Sequence, residues 1–478
     1  MKRLIALIVF GMVSAGGEAG DANLAWPQFR GPGGSGVAEE QNPPVKVGPE
    51  TNVKWKTTVP SGFSSPIVVA DKLILTGFDS GKLYTIAYSR ADGKEHWRAE
   101  APTKTIEGYH KTEGSPAAST PTTDGDKIIS YFGSCGLFCY DLSGKELWKH
   151  ETPTAVTIAD FGTGVSPILA DGVVVLLRDV TNDPKIIALD AATGAVKWEK
   201  KRQSFSGFGS PLIWNTPAGK QVVAPGSGRL IAYDLTTGDE KWSISGMPAA
   251  CCTTPVAADG VLFFAGWSPG DPSDKDFKLP SFDQLLKMAG AESEGVLTKK
   301  AAEKTFLKNF FDNNDANKDG KITREEWDAN LKMMSASRNS AFAVKSGGAG
   351  DVSDSHVLWK KTKALPYVPS AIVYQGKYVM VKDGGIVTAY DAKTGDEIHQ
   401  GRLAAPGSYY ASPVAANGRV YFTSLSDGVV TVVKFDSAKP EVVAKNPPLG
   451  ERVAATPAIA DNTLYIRTAT KLYAFAEK

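Results

Sequence analysis

ALDAATGAVKW (188–198) and AYDLTTGDEKW (232–242) spell the same object twice. An apolar strand ends on Asp, a turn carries Gly, and a second strand ends on Trp. CYDLSGKELW (139–148) and AYDAKTGDEIH (389–399) repeat it with small changes. Apolar and polar residues alternate on both sides of the turn, the period of strands with one buried face. A second signal recurs upstream of each copy, a Ser or Thr followed by proline at Pro66, Pro121, Pro167, Pro211, Pro255, Pro413 and Pro457. Ser370-Ala371 fills the same place without its proline. Pro167, Pro211 and Pro255 follow one another at steps of 44 residues. A repeat of that length holds four strands, and such units stack radially as propeller blades. Eight units can be counted, so the expected fold is all-β, an eight-bladed β-propeller.

The last unit, TLYIRTATKLYAFAE (463–477), supplies three strands and lacks the fourth. NVKWKTTV (52–59) can provide it from the other end of the chain, with Trp55 in the place held by Trp97, Trp148, Trp198, Trp242 and Trp359. Closing the ring in this way leaves no blade with an open edge of backbone donors and acceptors. The periodic tryptophans are then packing residues between blades and not a carbohydrate platform.

The D-x-x-x-G-x-x-x-W repeat resembles the pyrroloquinoline-quinone-type repeat of quinoprotein-like propellers. WPQFRGPGGSGV (26–37) looks like the N-terminal signature of exported bacterial members of that family. The resemblance spans the propeller, residues 26–478, outside one insertion. It implies the fold more strongly than an activity, because one propeller hosts many functions.

Bulk properties agree. The chain has 478 residues, 42% of them apolar, and a net charge of +1. Acids and bases are balanced, so neither nucleic acid nor an anionic membrane surface is an expected partner. Lys2 and Arg3 precede the apolar run Leu4 to Val13, and Val13-Ser14-Ala15 offers small residues for cleavage. That order predicts a signal peptide over residues 1–15, cut near 15–19, and an exported protein, periplasmic or extracellular. The run is too short for a membrane span. A monomer is expected.

One interval departs from the rhythm. From Pro255 to Ala371 the chain is about 70 residues longer than a blade requires. The excess follows VLFFAGW (261–267), the second strand of blade five, and ends before SAFAVKS (340–346), the third. Between them the apolar period becomes helical, which predicts an inserted EF-hand pair over residues 270–338. DANKDGKITREE (315–326) carries Asp315, Asn317 and Asp319 at loop positions 1, 3 and 5, and Gly320 at the sharp turn. Lys321 offers a carbonyl at position 7, Thr323 acts at position 9, and Glu326 closes the sphere at position 12. Six or seven oxygens from one short loop suit a hard cation, and Ca2+ is the expected ligand. Upstream, EGVLT (294–298) aligns with DGKIT (319–323), but Gly290 and Ala301 replace both key carboxylates. That loop is expected to pair without binding metal, and the two loops to share a helix around 302–312.

Connections alternate between faces in a four-stranded antiparallel blade. The insertion should therefore stand on the same face as the links between blades, one of which is MPAACCTTP (247–255). Cys251 and Cys252 are adjacent there. In the family's dehydrogenases such a pair contacts the quinone; the alternative is two small residues at a crowded channel mouth. The equivalent links carry Phe63, Tyr109, His110, Phe161, Phe208, Tyr367, Tyr409, Tyr410 and Arg452, a ring of aromatics with few polar groups. Cys251, Cys252, His110, Tyr409, Tyr410 and Arg452 are the candidate ligand-binding residues. Two functions follow. One is a binding or assembly scaffold similar to outer-membrane assembly propellers, with an unidentified protein or small-molecule partner on the insertion face. The other is a quinoprotein dehydrogenase using pyrroloquinoline quinone at the mouth. The scaffold is preferred, because no catalytic Asp and no ligands for a cofactor-side calcium can be placed. No carboxylate pair suggests a glycan hydrolase.

Overall fold

The structure, a computed structural model, describes residues 25–204, 206–273, 279–315, 317–435 and 440–477. The expected signal peptide lies outside the described residues. Eight antiparallel sheets follow one another around an axis, each with four consecutive strands at its heart. Blade one is Ile67–Val69, Lys72–Asp79, Lys82–Ser89 and Glu95–Ala101. Blade eight is Ala458–Ala460, Thr463–Arg467, Lys471–Phe475 and, from the other end of the chain, Val53–Thr58. The closing strand pairs antiparallel, with Trp55 opposite Ala474.

The repeat letters now have physical roles. In all eight blades strands three and four slip register by one residue, a bulge beside the tryptophan position. A small residue stands opposite the large one: Ala87 faces Trp97, Ala188 faces Trp198, and Cys139 faces Trp148. Each indole then reaches the next blade, where its N–H donates to a turn carbonyl. Trp55 bonds Arg90, Trp97 bonds Leu142, Trp148 bonds Ala191, Trp198 bonds Leu235 and Trp359 bonds Ala392, all at 2.9–3.0 Å. The ring lies on the turn glycine. A Cβ on Gly194 would sit 2.7 Å from Trp148, and its φ of +73° already favours glycine. The motif Asp closes the turn from beneath: Asp190 accepts the backbone N–H groups of Ala192 and Thr193.

Trp242 departs from this scheme. Its N–H donates to Gln221 Oε1 at 2.9 Å, and its ring stands edge-on to Trp214. Blade five lacks the repeat turn that would receive it. In that place Gly350–Asp351 joins blade four as a fifth strand, parallel and directly beside Trp242.

The Ser/Thr-Pro signal builds the axis. Each of these hydroxyls accepts the backbone N–H of its counterpart one blade earlier, from Ser65 through Thr120, Ser166, Ser210, Thr254, Ser370 and Ser412 to Thr456. Thr456 N–H then donates to Ser65 Oγ. All eight bonds are 2.9–3.0 Å, a closed ring. Ser370 keeps its place without the proline, so the hydroxyl is the essential letter.

Residues 26–38 cross the far side of the axis. Trp26 bridges Val68 of blade one, Pro27 accepts from Thr123 of blade two, and Gly36 and Ala38 bond Ala415 of blade seven. Arg30, fully buried, donates to the Ala371 carbonyl of blade six. The arm continues over the seam between blades seven and eight, where Ala444 holds the tryptophan position. Asn446 receives Val47 N–H and donates to the Val45 carbonyl there, and Val47 joins the core that the missing indole would have filled.

Between strands two and three of blade five, Val261–Gly266 and Ser340–Lys345, the helical insert departs and returns. Its helices include Phe282–Ala289 and Arg324–Ala336, both opened by capping boxes, on Ser281 and Thr323. Its two loops pair antiparallel, Leu297 opposite Ile322 and Thr298 opposite Lys321. Phe282, Leu285, Leu297, Phe311, Ile322 and Trp327 form a core of the insert's own. The shared helix expected over 302–312 is broken. Lys299–Ala302 gives way to a 3-10 turn, Phe306–Asn309, before Phe311–Asn314. Thr305 causes the break by accepting Leu307 N–H as a new cap.

Candidate functional site

The eight-hydroxyl ring is the floor of a cavity of about 470 Å³ on the axis. Phe29, from the crossing arm, reaches it as well, so the arm closes one end of the channel. Phe63, Phe161, Phe208, Tyr367 and Tyr410 form much of the wall, each from a link between blades. The helical insert completes it. Phe310, just before the 315–326 loop, and Met334, in the last turn of the helix that leaves it, both line the cavity. The insert is held there by its two ends: Ser268 and Asn339 exchange hydrogen bonds at 2.9 Å, and Asp271 accepts Asn339 N–H. Arg338 N–H donates to the Met247 carbonyl in the link that leads to the cysteines.

The six candidate residues separate. Cys252 and Tyr410 line the cavity. Arg452 is one ring behind the wall, its guanidinium 5.4 Å from the Phe63 ring and 5.3 Å from the Tyr410 ring. His110 is exposed and packs on Phe161 at 5.7 Å. Tyr409 is buried in the packed interior, its hydroxyl donating to the Ala405 carbonyl. Cys251 is buried too, its thiol directed at the Gly226 and Pro248 carbonyls. Both adjacent cysteines are free thiols, and burial pushes Cys252 up to about 12, which leaves it a weak nucleophile. Burial also raises the Tyr410 hydroxyl to about 12, with Glu113 adding to the shift.

Glu113, Phe29, Phe310 and Met334 were not expected at the site. The first lies in the long loop TKTIEGYHKTEGSPAAS, whose length singled out His110 instead. The ring hydroxyls had a visible signal, the residue before each proline, but periodicity alone does not say that they face a channel.

In the 315–326 loop the oxygens already converge. Asp315 Oδ2 accepts Gly320 N–H at 2.9 Å, and Gly320 has φ +83°. Asn317 and Asp319 point their oxygens along the same turn, toward the N–H groups of Asp319 and Lys321. Glu326 is drawn across the loop, with Oε1 at Asn317 N (3.3 Å) and Oε2 at Thr323 N (2.9 Å). Lys321 lies in the short strand, with its carbonyl in the backbone of the loop. The upstream loop has Gly290 as a helix cap with φ +68° and carries no acid at its first or last position.

A family profile described as outer membrane protein assembly factor BamB matches residues 79–260 and 331–478. No curated protein sequence matches. Among solved structures the chain is similar to BamB from Moraxella catarrhalis, at 14% identity, with 88% of this chain and 98% of that chain covered and a TM-score of 0.53. It is also similar to a europium-containing methanol dehydrogenase, at 10% identity, 96% and 99% coverage and a TM-score of 0.51. A computationally designed protein, Ika8, matches at 10% identity over 89% and 99% of the two chains, with a TM-score of 0.55. At these identities the similarity describes the fold.

Proposed function

The chain belongs to the family described as outer membrane protein assembly factor BamB, and from that premise we propose that it is an exported binding scaffold whose ligand site is the axial cavity under a calcium-braced insert. One observation carries the reading: the helical insert, alien to the repeat, contributes Phe310 and Met334 to the cavity wall. A surface decoration would have no reason to reach the axis. Pockets of this size with apolar walls and a few polar groups bind ligands in proteins of many kinds. No helix among the described residues is long and apolar enough to cross a membrane.

Calcium fits the loop. Asp315, Asn317, Asp319 and Glu326 would supply side-chain oxygens, Lys321 its carbonyl, and Thr323 would act through water. The supporting observation is Glu326, already folded back over the loop against Asn317 and Thr323. The bound ion would supply charge to hold the acids together and so stiffen the helix running to Met334. Titration calorimetry on the purified protein should find one calcium site. Glu326→Gln should weaken it by about tenfold or more, since a bidentate anion becomes a neutral amide. Two equivalent sites, or an unchanged affinity in the variant, would remove the assignment.

The quinoprotein reading draws support from Cys252 on the cavity wall. The residues fit the cofactor poorly. Cys251 is turned into the core, so the pair does not present both sulfurs, and Glu113 is the one acid among the described lining residues. No step is derived through the quinone. Soaking the protein with quinone and calcium and recording its absorption spectrum tests this second reading directly.

A further inference from the structure

Arg452 is a cation held between two aromatic faces, Phe63 and Tyr410, and both rings line the cavity. The faces of its guanidinium are satisfied by the ring quadrupoles. Its edge is not: Nε and Nη2 are buried and have no hydrogen-bond partner among the described residues. These two N–H groups point the same way. Elsewhere in this chain the same edge grips a carboxylate with both nitrogens: Arg202 holds Asp179 by Nε at 2.7 Å and Nη2 at 3.0 Å. Arg98 holds Glu95 in the same manner. At Arg452 the neighbouring acid does not take this place. Glu113 bears on the Tyr410 hydroxyl and forms no ion pair with Arg452. A desolvated guanidinium edge without an acceptor is costly, and a planar oxyanion is the group whose shape matches it.

We propose that Arg452 anchors the acidic end of the cavity's ligand, which is a flat, apolar, aromatic acid. Its body fills the space between Phe161, Phe208 and Tyr367. Its carboxylate or similar oxyanion reaches the Nε–Nη2 edge past Tyr410, a half-buried ring. The hydroxyls of the axial ring face the far end of that body, where they can donate to a polar substituent. This assignment rests on the cavity being the binding site.

A pair of fluorescent probes separates the two ideas. Anilinonaphthalene sulfonate and N-phenylnaphthylamine share their rings and differ in the anionic group. The wild-type protein should bind the sulfonate about tenfold or more tighter than the neutral amine, the difference one charge-assisted pair supplies. Arg452→Gln should erase that preference while leaving the amine's affinity unchanged. Arg452→Lys, which keeps the charge and loses the fork, should recover only part of it. Ala250→Phe, which fills the cavity from its wall, should abolish binding of both probes and so rule out the outer surface. If Arg452→Gln weakens both probes equally, Arg452 merely positions Phe63 and Tyr410 and the anchor is refuted, although the cavity stands. If the sulfonate has no advantage in the wild type, the anchor is refuted as well. If neither probe binds, or Ala250→Phe leaves both bound, the cavity reading itself falls.

Discussion

Glu107 is the acid whose surroundings are least suited to its charge. It is 2% exposed, and its carboxylate accepts the Thr163 backbone N–H at 3.2 Å and the Thr163 hydroxyl at 2.8 Å. Burial outweighs both bonds and the field of Arg178, and raises its pKa from 4.5 to about 8. Tyr131 and Cys135 lie near it, and neither is charged at neutral pH. Because the folded state holds the proton more tightly than the unfolded chain, stability should fall as pH rises from 4.5 to about 8 and then level off. Glu107→Gln keeps an acceptor for Thr163 without the charge. Denaturant midpoints measured from pH 5 to 9 should show the variant gaining on the wild type as pH rises and exceeding it at the alkaline end. Equal slopes would mean that Glu107 is not protonated at neutral pH. At this scale the sequence is legible only where chemistry repeats. Trp148, Gly194 and Asp190 declare their roles because four copies agree. Glu107 and Arg452 occur once each, and nothing in their neighbours' letters says that folding will bury one and sandwich the other.

Among the elements, the insert reads most clearly in the sequence, because liganding geometry leaves a spacing that few other constraints produce. Its loop positions and its place after strand two are visible from the letters. The break at Thr305 is not, since a threonine in an apolar helical pattern serves equally as interior or as cap. Nor is the fifth strand, Gly350–Asp351, whose two residues have no strand pattern and take their conformation from the edge they join. The insert carries its own core, and Ser268 and Asn339 already bring its ends together. Replacing residues 270–338 with a short linker should therefore leave the propeller's melting temperature within a few degrees of the wild type. The same deletion removes Phe310 and Met334 from the cavity wall, so probe binding there should weaken. A large fall in melting temperature would show that the insert is part of the propeller's stability and not a cover placed over it.

At the scale of the whole molecule, eight blades are held by three circular devices: indoles passed to the next blade, hydroxyls joined around the axis, and one strand borrowed across the chain ends. The first and third are legible from the repeat and its incomplete last copy. The second is half legible, and the crossing arm of residues 26–38 appears in the letters only as a family signature without a mechanism. Deleting residues 52–59 should open blade eight and expose an edge along Lys471–Phe475. Light scattering should then show aggregation at concentrations where the wild type is monodisperse. A deletion variant that stays dispersed and melts normally would mean that the ring does not depend on its closing strand.

Val53–Thr58 and Lys471–Phe475 lie at opposite ends of the sequence, so at this seam the order of synthesis and the order of assembly run against each other. The strand made early is seated late. The intervening blades can build one upon another as the chain appears, but Val53–Thr58 must wait, unpaired, for a partner that does not yet exist. A waiting strand is a hazard, because its backbone will join any edge it meets. Lys54 and Lys56, exposed on either side of Trp55 in the finished blade, do little for the closed ring. Their service belongs to the interval before closure, when two positive charges make the lone strand a poor partner for everything except the edge it is meant to complete.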